Sequence, residues 1–236
     1  ESCYREFGSR FFWLTDDNFG LGKRANELCD EIIRRGIADN IMWFIQARCD
    51  DITKHRNLLP KMRKAGNLWM LLGLESHSPE TLEAFRKEIN PSDSRQAVDL
   101  LKKNDIFAQA TFIIGERRDS HESIEKLREF VNEVDPDLAI FMVLTPFPGT
   151  DLYEVAKRKG WIEDTNWANY DMIHAIMPTE NLSREELQGE LYKCYRSFYG
   201  STKRRLTGLF SPNTIKKKTY RYLASQGILK ALRDVF

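Results

Sequence analysis

One phrase, repeated along the chain, constrains the fold more than any composition figure. Five apolar runs, residues 10–15, 41–47, 68–74, 107–114 and 138–144, are short and rich in aromatic and branched side chains, which predicts strands. They show little alternation of apolar with polar residues, the pattern of strands buried on both faces of a parallel sheet. Amphipathic stretches at 24–35, 54–64, 79–87 with 94–103, and 120–134 lie between them. Strand, loop and helix repeated in this way make right-handed crossovers, so successive strands curl in one direction. The expected fold class is α/β: a partial (β/α) barrel of the TIM type with parallel strands, too few to close an eight-stranded ring.

The helix ends give the direction of each unit. Arg34-Arg35-Gly36, Arg63-Lys64-Ala65-Gly66, Lys102-Lys103-Asn104 and Arg158-Lys159-Gly160 each put cations in a last turn, followed by a residue that tolerates a left-handed backbone. These clusters read as helix C-caps on the far side of the barrel, not as a phosphate-binding patch. Ser78-Pro79-Glu80 is the matching start signal, a cap followed by a first-turn proline and an acid.

Length and charge set the limits. A chain of 236 residues is long enough for one α/β domain with a helical appendage. With 42% apolar and 30% charged residues and a net charge of +1, a general electrostatic attraction to nucleic acid or membrane is not expected. No apolar run reaches the length of a membrane span. Cys3, Cys29, Cys49 and Cys194 are scattered, without the close spacing of a metal site, and read as reduced, mostly packed thiols of a cytoplasmic protein. The polar opening from Glu1 to Glu6 reads as the last turns of a helix, so the chain is expected to be an excerpt of something longer.

The corners that follow the runs carry the chemistry. They are Thr15-Asp16-Asp17-Asn18, a lone Arg48, Gly73-Leu74-Glu75-Ser76, Gly115-Glu116-Arg117, and Thr145-Pro146-Phe147-Pro148-Gly149-Thr150. The direction of the units places them together at the C-terminal end of the strands, where this kind of fold keeps its active sites.

This ordered set resembles the radical S-adenosylmethionine enzymes, and among them the class that carries a cobalamin-binding domain ahead of the radical core. Within that class, residues 169–186, with Asn169-Tyr170-Asp171-Met172-Ile173-His174 and then Leu182-Ser183-Arg184-Glu185-Glu186, are similar to the anaerobic magnesium-protoporphyrin ester oxidative cyclases. The resemblance covers about residues 1–199. It implies S-adenosylmethionine as cofactor, a four-iron, four-sulfur cluster and, in this class, cobalamin held by an upstream domain. It further implies a ferredoxin- or flavodoxin-like reductant and a small-molecule substrate of lipid or tetrapyrrole type. One departure is plain: the family's CxxxCxxC cluster loop is absent from these residues. In the family it precedes the first helix, so the cluster ligands are expected upstream of Glu1, and no metal ligand is assigned within the chain.

The resemblance assigns roles residue by residue. Asp16 and Asp17 match acceptors for the cofactor's ammonium; an Asx-turn or a helix cap leading into Gly20 and Gly22 accounts for them equally well. Glu75, just beyond Gly73, matches the position that contacts the ribose hydroxyls, and Lys87 matches a basic position facing the cofactor carboxylate. Ile113 and Gly115 match the adenine-contacting corner, with Pro146 supplying the opposite wall; Gly115 could equally be a tight turn. Substrate candidates are Arg48, His77 and His174. Arg48 competes with an ion pair to Asp50 or Asp51. His55 and His121 read as solvated helix-start residues. Hydrogen-atom abstraction demands no acid or base from the barrel, so no catalytic residue is assigned.

After residue 150 the character changes. Residues 1–150 are expected to form the radical core and 151–236 a mostly helical extension. Ser183 opens a helix with Glu186 as a capping box, carrying Leu187, Leu191, Cys194, Tyr195 and Phe198 on one face. The tail beyond it, with Lys203-Arg204-Arg205, Lys216-Lys217-Lys218 and Arg221 among aromatics, reads first as a lid docked on the barrel. Contact with an anionic membrane is the second reading, and a specific nucleic-acid role is not expected. The function expected is generation of a 5'-deoxyadenosyl radical for C–H activation, ending in cobalamin-dependent methyl transfer or oxidative cyclisation. The alternative is a non-catalytic nucleoside-binding module that has lost the cluster.

Overall fold

The computed structural model describes residues 1–87 and 89–225; the last part of the expected extension, residues 226–236, lies outside the described residues. Five strands, β1 Phe11–Trp13, β2 Met42–Ala47, β3 Asn67–Glu75, β4 Phe107–Ile114 and β5 Leu138–Val143, form one sheet in chain order. Every neighbouring pair is parallel. The sheet curls into a half-barrel with helices around its convex side, an α/β partial TIM-like barrel as the repeated units predict.

The helices are α1 Ser2–Arg5, α2 Lys23–Arg34, α3 Cys49–Lys54, α4 Leu59–Lys64, α5 Pro79–Ala84, α6 Pro91–Lys103, α7 His121–Val134, α8 Asp151–Lys159, α9 Arg184–Gly200, α10 Thr202–Leu209 and α11 Thr214–Ser225. The stretch read as one helix over 54–64 begins on the last residue of α3, passes through a 3-10 turn at Arg56–Leu58 and is α-helical again only in α4. Its apolar period persists through the break because both short helices bury residues in the same core, Ile52, Leu59 and Met62 among them.

The strands differ from the expectation in one respect. Burial alternates along β3, β4 and β5. Met70, Leu72, Ala108, Ala110, Phe112, Ala139 and Phe141 face the helices and are sealed in the core. Trp69, Leu71, Gln109, Ile113, Ile140 and Met142 face the lumen and are half-buried. Both faces are largely apolar, so the sequence shows no alternation, but a half-barrel covers only its convex face.

The basic helix ends behave as caps. Arg34 and Arg35 pair with Glu31, Arg63 with Asp105, and Lys102 with Asp135. At the end of α6 the left-handed position is Asp105, with φ 57°, and not Asn104; both types visit that region more readily than other non-glycine residues.

Helix α9 solves the open-edge problem at β5. Tyr195 Oη donates to the Phe141 carbonyl at 2.9 Å and accepts from the Phe141 N–H at 3.2 Å. Four residues on, Tyr199 Oη makes the same two bonds with Ala139, at 2.7 and 3.1 Å. The i, i+4 spacing on one helix face thus matches the two-residue period of the strand edge. Farther along, the Val143 N–H donates to the Met172 carbonyl at 2.8 Å. The edge's outward backbone groups are satisfied, so it does not invite another strand. The capping box at Ser183 and Glu186 starts this helix as expected.

The tail is anchored to the barrel. Arg204, buried, pairs with Asp135 at 2.8 Å and lies over the Phe198 ring, and Lys216 pairs with Asp137 at 2.8 Å. Two cations of the basic tail therefore serve as latches at the N-terminal end of β5, away from the strand corners.

Candidate functional site

The corners at the ends of β1, β2 and β3 meet around a pocket of about 140 Å³. Its wall includes Asp17, Gln46, Arg48, Gly73, Glu75, Lys87 and Thr111. The centre is Glu75. A register shift between Gly73 and Glu75 ends the ladder with β4, and Glu75 takes a left-handed backbone, φ 60°. Such a conformation is rare for a glutamate and marks a position held by its surroundings. The bend folds the carboxylate back over Gly73, where a Cβ would lie 2.4 Å from Glu75 Oε1 and 2.9 Å from Lys87 Nζ. Gly73 therefore leaves the room in which these two side-chain ends meet, and a larger residue would displace them.

Glu75 Oε1 and Lys87 Nζ are 3.0 Å apart. The residues expected to touch different parts of the cofactor thus touch each other. Among the described residues, Glu75 Oε2 is buried without a hydrogen-bond partner. A buried carboxylate oxygen normally has a donor, so this atom fits hydroxyl groups brought by a ligand. The site's bare glycine, acidic acceptor and adjacent ammonium suit the ribose and carboxylate of S-adenosylmethionine.

The other predicted residues divide. Asp17 lines the pocket, whereas Asp16 is held by Arg24 of α2 at 2.8 Å, which draws its carboxyl below the usual range. The loop carrying Asp17 is fixed from behind by Asp51, which accepts the Leu21 N–H. Arg48 reaches the pocket and grips Asp50 through two bonds of 3.0 and 3.1 Å, lowering the Asp50 pKa. The ion-pair reading of Arg48 is thus realised alongside its place in the wall. Ile113 lies on the lumen face of β4 in register with Met142. Gly115 closes a turn: its N–H donates to Asp119 Oδ2 at 2.8 Å, and a Cβ there would press on Leu187 of α9 at 3.1 Å. Pro146 is buried beside it, after the Leu144 N–H has extended the β4–β5 pairing to the Ile114 carbonyl. These three stand at the β4 and β5 ends and do not line the Glu75 pocket.

The histidines lie elsewhere. His77 turns outward between α5 and α7, tilted against Phe130, and burial lowers its pKa. His174 Nδ1–H donates to Asp171 Oδ2, 2.8 Å away, on the segment that crosses the β5 edge. His121 is not simply solvated: its Nδ1 meets the buried Glu190 of α9 at 2.7 Å. Among the described residues, no three His, Cys, Asp or Glu side chains converge on a metal position. Cys29, Cys49 and Cys194 are buried in separate places, and burial pushes their thiols up to about 11, 12 and 12. Thiols kept protonated and apart do not fit an iron–sulfur cluster.

Gln46 and Thr111 escaped sequence reading. Each is a polar residue inside an apolar run, and a strand period of two would have put both on the lumen face with Gly73.

A half-barrel of parallel strands with an acidic corner at the end of the third strand defines an α/β partial barrel whose polar pocket lies at the C-terminal strand ends. The radical SAM superfamily model matches residues 3–131, and the chain belongs to that superfamily. It is 32% identical over 200 residues to the anaerobic magnesium-protoporphyrin IX monomethyl ester cyclase of Cereibacter sphaeroides, covering 84% of this chain and 32% of that protein. It is 33% identical over 195 residues to an uncharacterized methyltransferase of Pyrococcus horikoshii, covering 82% of this chain and 42% of the relative. The chain thus spans less than half the length of either. The cobalamin-dependent S-adenosylmethionine radical enzyme OxsB, with aqua-cobalamin and S-adenosylmethionine bound, superposes with a TM-score of 0.63 at 14% identity over 94% of this chain and 39% of that one. That likeness concerns the fold.

Proposed function

We propose that this chain is the cofactor-binding barrel of a radical S-adenosylmethionine enzyme that activates a C–H bond of a tetrapyrrole-type substrate, for methyl transfer or oxidative ring closure. The observation that carries the reading is the Glu75 carboxylate, bent over Gly73 beside Lys87, with one buried oxygen that no partner meets among the described residues. When bound, a reduced cluster and S-adenosylmethionine supply a 5'-deoxyadenosyl radical. The chain's own residues have other tasks. Glu75 accepts the ribose hydroxyls as charge-assisted bonds, and Lys87 neutralises both Glu75 and the cofactor carboxylate. Asp17 accepts from the ammonium. Ile113 and Pro146 bound the adenine side, and the lumen wall keeps water from the reacting carbon. The substrate class is supported by the similarity to the porphyrin-ester cyclase and by the half-buried apolar wall of the lumen. A soluble reductant such as a ferredoxin or flavodoxin, and a cytoplasmic location, complete the proposal. The buried free thiols are in keeping with that location, and among the described residues no helix is long and apolar enough to cross a membrane.

The test uses the full-length protein, purified anaerobically and reconstituted with iron and sulfide. Reductive cleavage of S-adenosylmethionine to 5'-deoxyadenosine is expected, and expected to fall in Glu75→Ala and Lys87→Ala. A protein that takes up no cluster and releases no 5'-deoxyadenosine would sink the enzyme reading and leave a nucleoside-binding module.

A further inference from the structure

The lumen face of the sheet is an apolar wall with one amide in its middle. Trp69, Leu71, Leu138 and Ile140 surround Gln109, and each is half-buried, so the wall is open on its concave side. In register, Gln109 lies level with Leu71 of β3 and Leu138 of β5. Thr111, the next lumen-facing residue of β4, lines the Glu75 pocket. Gln109 therefore sits one step below it, about 7 Å at the usual rise of a strand.

Trp69 Nε1 donates to Gln109 Oε1 at 3.0 Å. An indole nitrogen can only donate, so this bond settles which end of the amide is which. The oxygen is taken and the NH2 is turned away from Trp69. No acceptor meets that NH2 among the described residues. Trp69 is itself held edge-on between Phe44 and Phe107, with ring centroids 5.3 and 5.2 Å away. The other polar side chains of this face are otherwise engaged: Gln46 belongs to the cofactor pocket, and Thr111 Oγ1 leans on the Leu72 carbonyl at 3.5 Å.

A fixed donor in an apolar wall discriminates strongly. A ligand that covers it without offering an acceptor leaves it buried and unpaired, whereas one with a matching oxygen does not. We infer that Gln109, oriented by Trp69, reads the substrate: its amide NH2 donates to a carbonyl, ester or carboxylate oxygen on the periphery of a flat apolar molecule laid against the lumen wall. The inference rests on the tetrapyrrole reading above and adds which chemical group is recognised and by what.

The test measures porphyrin binding to the full-length protein by quenching of tryptophan fluorescence. Protoporphyrin IX monomethyl ester carries carboxyl and ester oxygens; etioporphyrin has the same ring with alkyl groups only. The wild type is expected to prefer the first by about five- to tenfold, the worth of one hydrogen bond. Gln109→Glu keeps an oxygen for Trp69 but replaces the donor by a second acceptor, and should abolish or reverse the preference. Trp69→Phe leaves Gln109 present but unoriented, and should lose part of it. Thermal unfolding reports whether each variant is folded. If both porphyrins bind and folded Gln109→Glu and Gln109→Leu keep the preference, the assignment of Gln109 fails while the substrate class stands. If the wild type binds neither porphyrin, the tetrapyrrole reading fails and takes this assignment with it.

Discussion

Replacing Gly73 by alanine separates the site from the fold. The backbone of Gly73 is not in the left-handed region, so alanine is conformationally allowed. In a strand interior it is worth about 0.5–1 kcal/mol over glycine. The new methyl, however, would lie 2.4 Å from Glu75 Oε1 and 2.9 Å from Lys87 Nζ. Carbon–oxygen contact needs roughly 3.4 Å or more, so the carboxylate must retreat by about 1 Å. The ion pair is partly exposed on the lysine side, 34%, and its loss costs little after solvent screening, about 1 kcal/mol at most. The larger loss is ligand binding, because hydroxyl bonds to a charged oxygen contribute about 1.5–3 kcal/mol. That corresponds to roughly ten- to hundredfold weaker binding. Calorimetric titration of the full-length protein with S-adenosylmethionine or S-adenosylhomocysteine measures it, with thermal unfolding as the control. The expected result is weak binding in a protein no less stable than the wild type. Unchanged affinity in Gly73→Ala would refute the role given to Glu75.

Two further perturbations test the scaffold. Tyr195→Phe and Tyr199→Phe each strip a hydroxyl that both donates to and accepts from the β5 edge. Each should cost about 1–2 kcal/mol in urea unfolding, and loss of no more than a few tenths in both would show that water replaces the tyrosines. His77 is held neutral by burial, its pKa below the ordinary 6.5. The unfolded chain then binds more protons than the native one as the solution is acidified. Its contribution to stability is complete above pH 6.5 and is lost as pH falls toward the native value. His77→Phe should flatten this part of the stability–pH curve, and an unaltered slope would assign it to other groups.

The chain's repeated phrase determined the order of strands and helices, because strand period, caps and breakers act within a few residues of one another. Ser78, Ser183 with Glu186, and the cations closing α2 and α4 needed no tertiary knowledge. The position of Glu75 after the third strand was legible for the same reason, as part of an ordered set of corners. Other features depended on register between segments far apart in sequence. The coupling of Glu75 to Lys87, the assignment of Asp17 to the pocket and Asp16 to Arg24, and the outward turn of His77 come from how the corners fold over one another. The two tyrosines that seal β5 read from sequence only as an apolar helix face. Their hydroxyls acquired a task when α9 was laid along the strand. Trp69 and Gln109 are 40 residues apart, and only the parallel pairing of β3 with β4 brings indole to amide. Local propensity extends over a few residues, whereas register is set by the cooperative packing of the whole sheet. For this reason the sequence alone could name the barrel, and the tertiary structure decided which of its side chains line the pocket.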